Sequence, residues 1–234
     1  MNKRQSLGQH FLISNSIARS IVDFAELTKK DVVLEVGTGK GILIPNLCEK
    51  AKKVISVEKD DNLYLKAKEN FFSIPNLVLK QGDAFEMDFD FTVLVSNLPY
   101  SESRNAIEWL VQRKFSHAII MVQKEFAQKL LVKEGSARRA VSVLANYCMK
   151  IEKLLDVNKT NFQPSPKIDS VVIRLEQKHQ VTREIVQTVN NLFSFKRKTV
   201  RNLAKKFGIE IDSDKRLEDL EDGEIIAIAK KIIR

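Results

Sequence analysis

The chain has 234 residues, 44% hydrophobic and 29% charged. It carries enough apolar material for a packed core, which excludes global disorder. Lys and Arg number 39 against 30 Asp and Glu, a net charge of +9 that favours a polyanionic partner. Two cysteines exclude a disulfide scaffold, and three scattered histidines without a Cys-x-x-Cys pair argue against a metal site.

The opening MNKRQSLGQH lacks the apolar run of a leader peptide. No stretch approaches the roughly 18–20 apolar residues of a membrane span. The chain therefore reads as cytoplasmic, without a membrane partner, and, for want of a large apolar face, as a monomer.

Strands are predicted over Val32–Val36, Val54–Val57, Leu77–Leu79, Phe91–Val95 and Ala118–Val122. Helical stretches alternate with them at Leu43–Glu49, Asn62–Phe72 and Asn105–Val111. That alternation predicts a parallel α/β sheet. Two further helices follow at Lys124–Leu131 and Ala137–Asn146. Late strands at Lys153–Val157 and Val171–Leu175 flank Phe162–Pro166, whose prolines argue against regular structure. Two such strands without a helix between them predict an antiparallel pair at the sheet edge. Beyond residue 180 only helices are predicted, at Thr182–Phe193, Lys198–Phe207 and Glu224–Ile233. The boundary is placed between 178 and 179, giving an α/β domain of 1–178 and a small helical domain of 179–234.

The stretch Glu35-Val36-Gly37-Thr38-Gly39-Lys40-Gly41 stands between a strand and a helix. Its glycines allow a tight turn and a close backbone approach to a ligand. It is not a phosphate-binding P-loop, because Lys40 is followed by Gly41. Glu58 ends the second strand, where an acidic side chain accepts ribose hydroxyls. Glu35 suits an ammonium group, so S-adenosylmethionine fits better than a nicotinamide dinucleotide. Asp83 and Ala84 follow the third strand and suit an adenine edge; a carboxylate there also serves as a plain helix cap.

Ser96-Asn97-Leu98-Pro99-Tyr100 follows the fourth strand, at the edge where open α/β sheets hold ligands. The Asn97 side-chain oxygen and the Leu98 carbonyl give two acceptors for one exocyclic amine. Pro99 stiffens the backbone, and Tyr100 offers a face for a base. A proline turn capped by Asn is the structural alternative, but it leaves Glu35, Glu58 and Asp83 unexplained.

These motifs resemble the ribosomal RNA adenine dimethyltransferase family that modifies small-subunit rRNA. The matching stretches are Leu7–Leu12, Glu35–Gly41, Glu58, Gly82–Ala84, Asn97–Tyr100, Gln123–Glu125, Phe162–Leu175 and Phe195–Asn202, in family order along nearly the whole chain. The resemblance implies a Rossmann-like S-adenosylmethionine-dependent methyltransferase fold with a mixed seven-stranded sheet and a small helical C-terminal domain. It implies dimethylation of two adjacent adenines near the 3′ end of small-subunit rRNA, within a ribosomal subunit or a late assembly intermediate. It places Asn97, Leu98, Pro99, Tyr100 and Phe162 in the catalytic set, with Phe162 stacking on the flipped base opposite Tyr100. It places Gln9, His10, Leu12, Glu35, Gly37, Gly39, Gly41, Glu58, Lys59, Asp83, Ala84 and Asn97 around the cofactor. Departures are Gly37-Thr38-Gly39 where many members have Gly-Pro-Gly, and Ala137-Arg138-Arg139 where many have Tyr-Gly-Arg.

Basic residues complete the reading. Lys196, Arg197, Lys198, Arg201 and Lys205 run without an intervening acid, and Arg138 and Arg139 form part of another group. They are assigned to RNA phosphates, with a solvated surface as the alternative. Phe162 likewise has an alternative role as an apolar plug. Competing functions are a large-subunit rRNA methyltransferase of the macrolide-resistance type and a non-catalytic rRNA-binding assembly factor.

Overall fold

In the computed structural model, which describes residues 10–233, each strand read from the sequence is present. In chain order the first elements are β1 (Phe11–Leu12), α1 (Asn15–Phe24), β2 (Val32–Val36), α2 (Ile44–Lys50), β3 (Lys53–Glu58), α3 (Asp61–Asn70) and β4 (Leu77–Gln81). Then come β5 (Val93–Asn97), α4 (Ser103–Leu110), β6 (His117–Gln123), α5 (Lys124–Leu130), α6 (Ala140–Cys148) and β7 (Met149–Val157). The last are β8 (Phe162–Gln163), β9 (Ser170–Gln177), α7 (Arg183–Ser194), α8 (Val200–Lys206) and α9 (Asp222–Ile233).

Seven strands form one sheet in the order β4-β3-β2-β5-β6-β9-β7. The first five are parallel, and β9 runs antiparallel to β6. The sheet is therefore mixed, with the two late strands side by side at one edge. The chain leaves β2 towards β3 on one side and returns to β5 on the other. The C-terminal ends of β2 and β5 thus flank the point where the winding reverses, the crevice in which such sheets bind ligands.

Two compact units can be distinguished. The first contains the residues up to Ala106, Phe115–Lys124 and Glu152–Glu176. Its core packs Ile21, Val22, Ile44 and Leu47 against the strand residues Val33, Val54, Val93 and Ile119. The α1 helix begins at Ser14, whose side chain accepts from the Ile17 amide and so satisfies an otherwise orphaned donor. A two-residue ribbon joins β1 to β8, with Leu12 opposite Phe162. Phe162 and Gln163 are thus regular structure, contrary to the reading of Phe162–Pro166. Two residues suffice for the pairing, and the prolines begin only after it.

The second unit contains Ile107–Lys114, Glu125–Ile151 and the chain from Gln177. Residues 179–233 lie within it, together with α6. The helices α6, α7 and α9 pack on one another. Thr182 and Thr199 cap α7 and α8 through hydrogen bonds from the Ile185 and Asn202 amides.

Arg138 corrects an expectation. It is only 1% exposed, so it does not face RNA. Its guanidinium donates to the Leu217 and Leu220 carbonyls and pairs with Asp222. The cation satisfies the backbone ahead of α9 and ties the turn at 135–139 to it. Removing one partner of such a buried pair leaves the remaining groups unsatisfied. Arg138→Ala is expected to lower stability by about 3 kcal/mol, read from the urea midpoint. An unchanged midpoint would return Arg138 to the surface set.

Candidate active site

The glycine loop after β2 is built on a left-handed backbone. Gly37 and Gly39 have φ of 81° and 57°, where a Cβ is strained. Gly37 donates to the Val57 carbonyl at 2.8 Å, and Gly39 donates to Glu58 Oε2 at 2.8 Å. The other Glu58 oxygen accepts from the Asp60 amide at 2.9 Å. One carboxylate thereby ties the loops after β2 and β3 together. Asp60 in turn caps α3 by accepting from the Asn62 and Leu63 amides.

Gly41, the third glycine of the loop, also has a left-handed φ of 75°. A Cβ on it would lie 2.2 Å from the Phe71 ring, so its smallness serves the packing of that ring behind the loop.

Glu35 is 1% exposed yet borders the cavity of His10, Gly37, Gly39, Glu58, Asn97 and Tyr100. Parallel pairing sets Ser56 of β3 opposite it, and the Ser56 hydroxyl donates to its carboxylate. The Thr38 hydroxyl lies 2.6 Å from that of Ser56. Burial pushes the Glu35 carboxyl up to about 8; the Ser56 hydrogen bond opposes this and the nearby Glu58 charge adds to it.

A second cavity of about 570 Å³ continues along the ends of β3, β4 and β5, bordered by Glu58, Lys59, Asp60, Asp83, Ala84 and Pro99 among others. Gly37, Glu58 and Pro99 border both spaces. Asp83 accepts from the Phe85 amide, capping the short turn Ala84–Glu86, and pairs with Lys59 at 2.7 Å. The cap and the cavity position therefore coexist in one carboxylate.

The Asn97–Tyr100 motif stands where β5 ends. The strand runs to Asn97 and starts at Val93, two residues later than read. Phe91 and Thr92 precede it, Thr92 being held by hydrogen bonds to Val32. Asn97 Nδ2 donates to the His10 carbonyl at 3.5 Å, which sets its oxygen on the opposite side of the amide. The Leu98 side chain is buried. Gly37 sits against Pro99, a Cβ on it lying 3.6 Å from the proline ring.

Tyr100 stacks on His10, with ring centroids 5.2 Å apart, and its hydroxyl lies 2.6 Å from that of Ser170. Burial pushes its phenol up, with the Ser170 hydrogen bond opposing. His10 Nδ1 donates to the Pro164 carbonyl at 2.8 Å. Leu12 and Phe11 close the same cavity, with Lys40 over the Phe11 ring. Neither the His10 stack nor Ser170 has a signal in the sequence, since both pair distant segments. Gln9 lies outside the described residues.

Phe162 is placed differently from the expectation. It is 3% exposed and belongs to the core of the first unit, so here it is the apolar plug and not a free stacking face. The β1–β8 pairing draws it inward beside Leu12.

In the second unit, Lys196, Arg197, Arg216, Ser136 and Glu218 border a cleft of about 410 Å³. Lys196 and Arg139 donate to the Ser136 carbonyl. Lys198 and Lys206 lie over the Phe195 ring. Arg201 is paired with Asp212 and Asp214 at 2.5 and 3.4 Å, acids that the run 196–206 does not contain. Lys205 is exposed on α8. Among the described residues there is no cluster suited to a metal ion, and no helix is long and apolar enough to cross a membrane.

Comparisons with known proteins find relatives along nearly the whole chain. A family model described as ribosomal RNA adenine dimethylase matches residues 1–233. Ribosomal RNA small subunit methyltransferase A of Thermotoga maritima is 33% identical over 236 residues, covering 97% of this chain and 85% of its own length. The probable ribosomal RNA small subunit methyltransferase A of Thermococcus gammatolerans is 34% identical over 220 residues, covering 92% and 79%. Among solved structures, a dimethyladenosine transferase from Plasmodium falciparum matches with a TM-score of 0.80 at 26% identity, covering 96% of this chain and 98% of that one. The 23S rRNA methyltransferase ErmE matches with a TM-score of 0.67 at 20% identity, over 96% of this chain and 100% of its own, a likeness of fold. The motifs at the ends of β2, β3, β4 and β5 and a match running the length of the chain make it a member of the ribosomal RNA adenine dimethylase family.

Proposed function

We propose that this protein transfers methyl groups from S-adenosylmethionine to the N6 amines of two adjacent adenines near the 3′ end of small-subunit rRNA, giving N6,N6-dimethyladenosine during subunit biogenesis. The observation that carries the reading is that Asn97 and Tyr100 border the same cavity as Glu35, Gly37 and Glu58. A base-handling motif and a nucleoside-handling loop face one space. The large-subunit alternative has only a likeness of fold in its favour.

The residues fit the cofactor part by part. Glu58 and the glycine loop suit the ribose, Asp83 and Ala84 the adenine, and Glu35 the ammonium of the amino-acid end. When bound, S-adenosylmethionine supplies an electrophilic sulfonium methyl. Asn97 Oδ1 and the Leu98 carbonyl accept from the adenine amine and favour the tetrahedral, positively charged nitrogen that forms on attack. The lost proton passes to solvent, so no strong base is required. Tyr100 supplies an aromatic face for a base taken out of its helix. His10 occupies one face of Tyr100, so a base stacking there displaces the imidazole. Phe162 contributes to base stacking only if it leaves the core. Lys196, Arg197, Lys198, Lys205 and Arg139 supply cations for rRNA phosphates, and the site of action is the cytoplasm, as a monomer.

Three outcomes follow from this reading. Asn97→Ala should lower methyl transfer by about 10²–10³-fold while S-adenosylmethionine affinity, measured by calorimetry, stays within a few-fold; retained turnover would remove the assigned role. Arg197→Ala with Lys198→Ala should weaken rRNA binding and make the salt slope shallower by about 2; an unchanged slope would place both side chains away from RNA. Glu35 gives the third. Its raised carboxyl favours the neutral form in the folded protein, so its contribution is fully present below 4.5 and is lost as pH rises through about 8. The ligand-free protein should lose stability across that window more steeply than Glu35→Gln. Parallel pH profiles of the two melting midpoints would contradict the burial argument.

A further inference from the structure

The antiparallel course of β9 has a consequence at the active-site rim. Parallel strands bring their C-terminal ends to that rim, whereas β9 brings its first residue. Ser170 starts β9 and stands opposite Gln123, the last residue of β6. It is fully buried, and its hydroxyl reaches the phenol of Tyr100 at 2.6 Å across 70 positions of sequence. Tyr100 is held at its backbone by the turn Tyr100–Glu102 that follows Pro99. Its ring swings about the first side-chain bond, and one of its faces meets the His10 ring. Fixing the hydroxyl holds the ring's direction from the backbone, while the tilt of its plane is met by the stacked His10 ring.

We infer that Ser170 is a positioning residue for methyl transfer, anchoring the Tyr100 hydroxyl so that the ring stays at the place where the target base stacks. The inference rests on the methyltransferase reading above. A base stacked on a pivoting ring presents its amine at a shifting angle to Asn97, and small misplacements of a reacting atom cost large factors in rate. The anchor lies four residues beyond Pro166, so it ties Tyr100 to the segment that carries Phe162 and the Pro164 carbonyl, itself the acceptor for His10. Ser170 thereby links the orientation of Tyr100 to the β1–β8 ribbon over the cavity.

The test is a pair of nearly isosteric variants, both β-branched and both suited to a strand. Ser170→Thr keeps the hydroxyl and Ser170→Val lacks it, so any crowding is common to both. Ser170→Thr should transfer methyl groups about tenfold faster than Ser170→Val, with equal S-adenosylmethionine affinity and similar melting midpoints. In a Tyr100→Phe background, where the phenol is gone, the two should be equal. Equal rates in the wild-type background would overturn the inference, as would a difference that persists with Phe at 100. A difference in cofactor affinity matching the difference in rate would also overturn it, since the effect would then be general damage. An unsubstituted protein that binds cofactor but methylates no rRNA would overturn the methyltransferase reading, and this inference with it.

Discussion

The Glu58 carboxylate accepts from two backbone amides at once, Gly39 at 2.8 Å and Asp60 at 2.9 Å. These amides belong to the loops after β2 and β3, so one side chain fixes the spacing of two loops that no strand pairing reaches. Charge-assisted bonds of this kind are stronger than neutral ones, and here they are nearly shielded from water, Glu58 being 5% exposed. The left-handed turn at Gly37 and Gly39 is what brings the Gly39 amide round to the carboxylate. The same turn lets Gly37 lie against Pro99, which carries the constraint across the sheet to the end of β5. The glycine loop after β2 and the Asn97–Tyr100 turn are thus positioned by one another.

The buried Glu35 shows the electrostatic side of that arrangement. Burial raises the Glu35 carboxyl to about 8, with the nearby Glu58 charge adding to this and the Ser56 hydroxyl opposing it, so an unpaired negative charge there is disfavoured. The site therefore favours a ligand that brings a positive charge to this one position. In the proposed reading that charge is the ammonium at the amino-acid end of S-adenosylmethionine, away from the reacting methyl. On that proposal, selectivity for the cofactor and chemistry on the base rest on different residues that share a wall of the cavity.

The sheet was legible because its strands are short apolar runs that alternate with helices, and because the motifs Glu35–Gly41, Glu58, Gly82–Ala84 and Asn97–Tyr100 each stand at the end of one of them. Asn97, Glu58 and Asp83 could be placed at strand ends from that alone. Segments without periodicity were not legible. The β1–β8 ribbon has two residues a side and joins positions about 150 residues apart; it explains why Phe162 is buried. The α1 helix does carry a signal, a Ser14 cap followed by Ala18, Ile21 and Val22 on one face, but a reading that starts from the strands passes over it. Charge is the least legible property. Arg138 and Arg201 look like their neighbours in sequence, yet one is buried against Asp222 and the other is paired with Asp212 and Asp214. Their partners stand 84, 11 and 13 positions away, so only the fold separates structural cations from those left for phosphate.

N6 dimethylation of small-subunit rRNA is proposed for the cavity that the glycine loop and the Asn97–Tyr100 turn share. The most direct measurement is transfer of labelled methyl from S-adenosylmethionine to purified small and large ribosomal subunits, each taken from cells lacking both modifications, with the labelled nucleoside mapped by mass. The expected product is N6,N6-dimethyladenosine on adjacent adenines near the 3′ end of the small-subunit rRNA, with no label on the large subunit. Label confined to the large subunit, or none on either while the cofactor binds, would contradict the proposal.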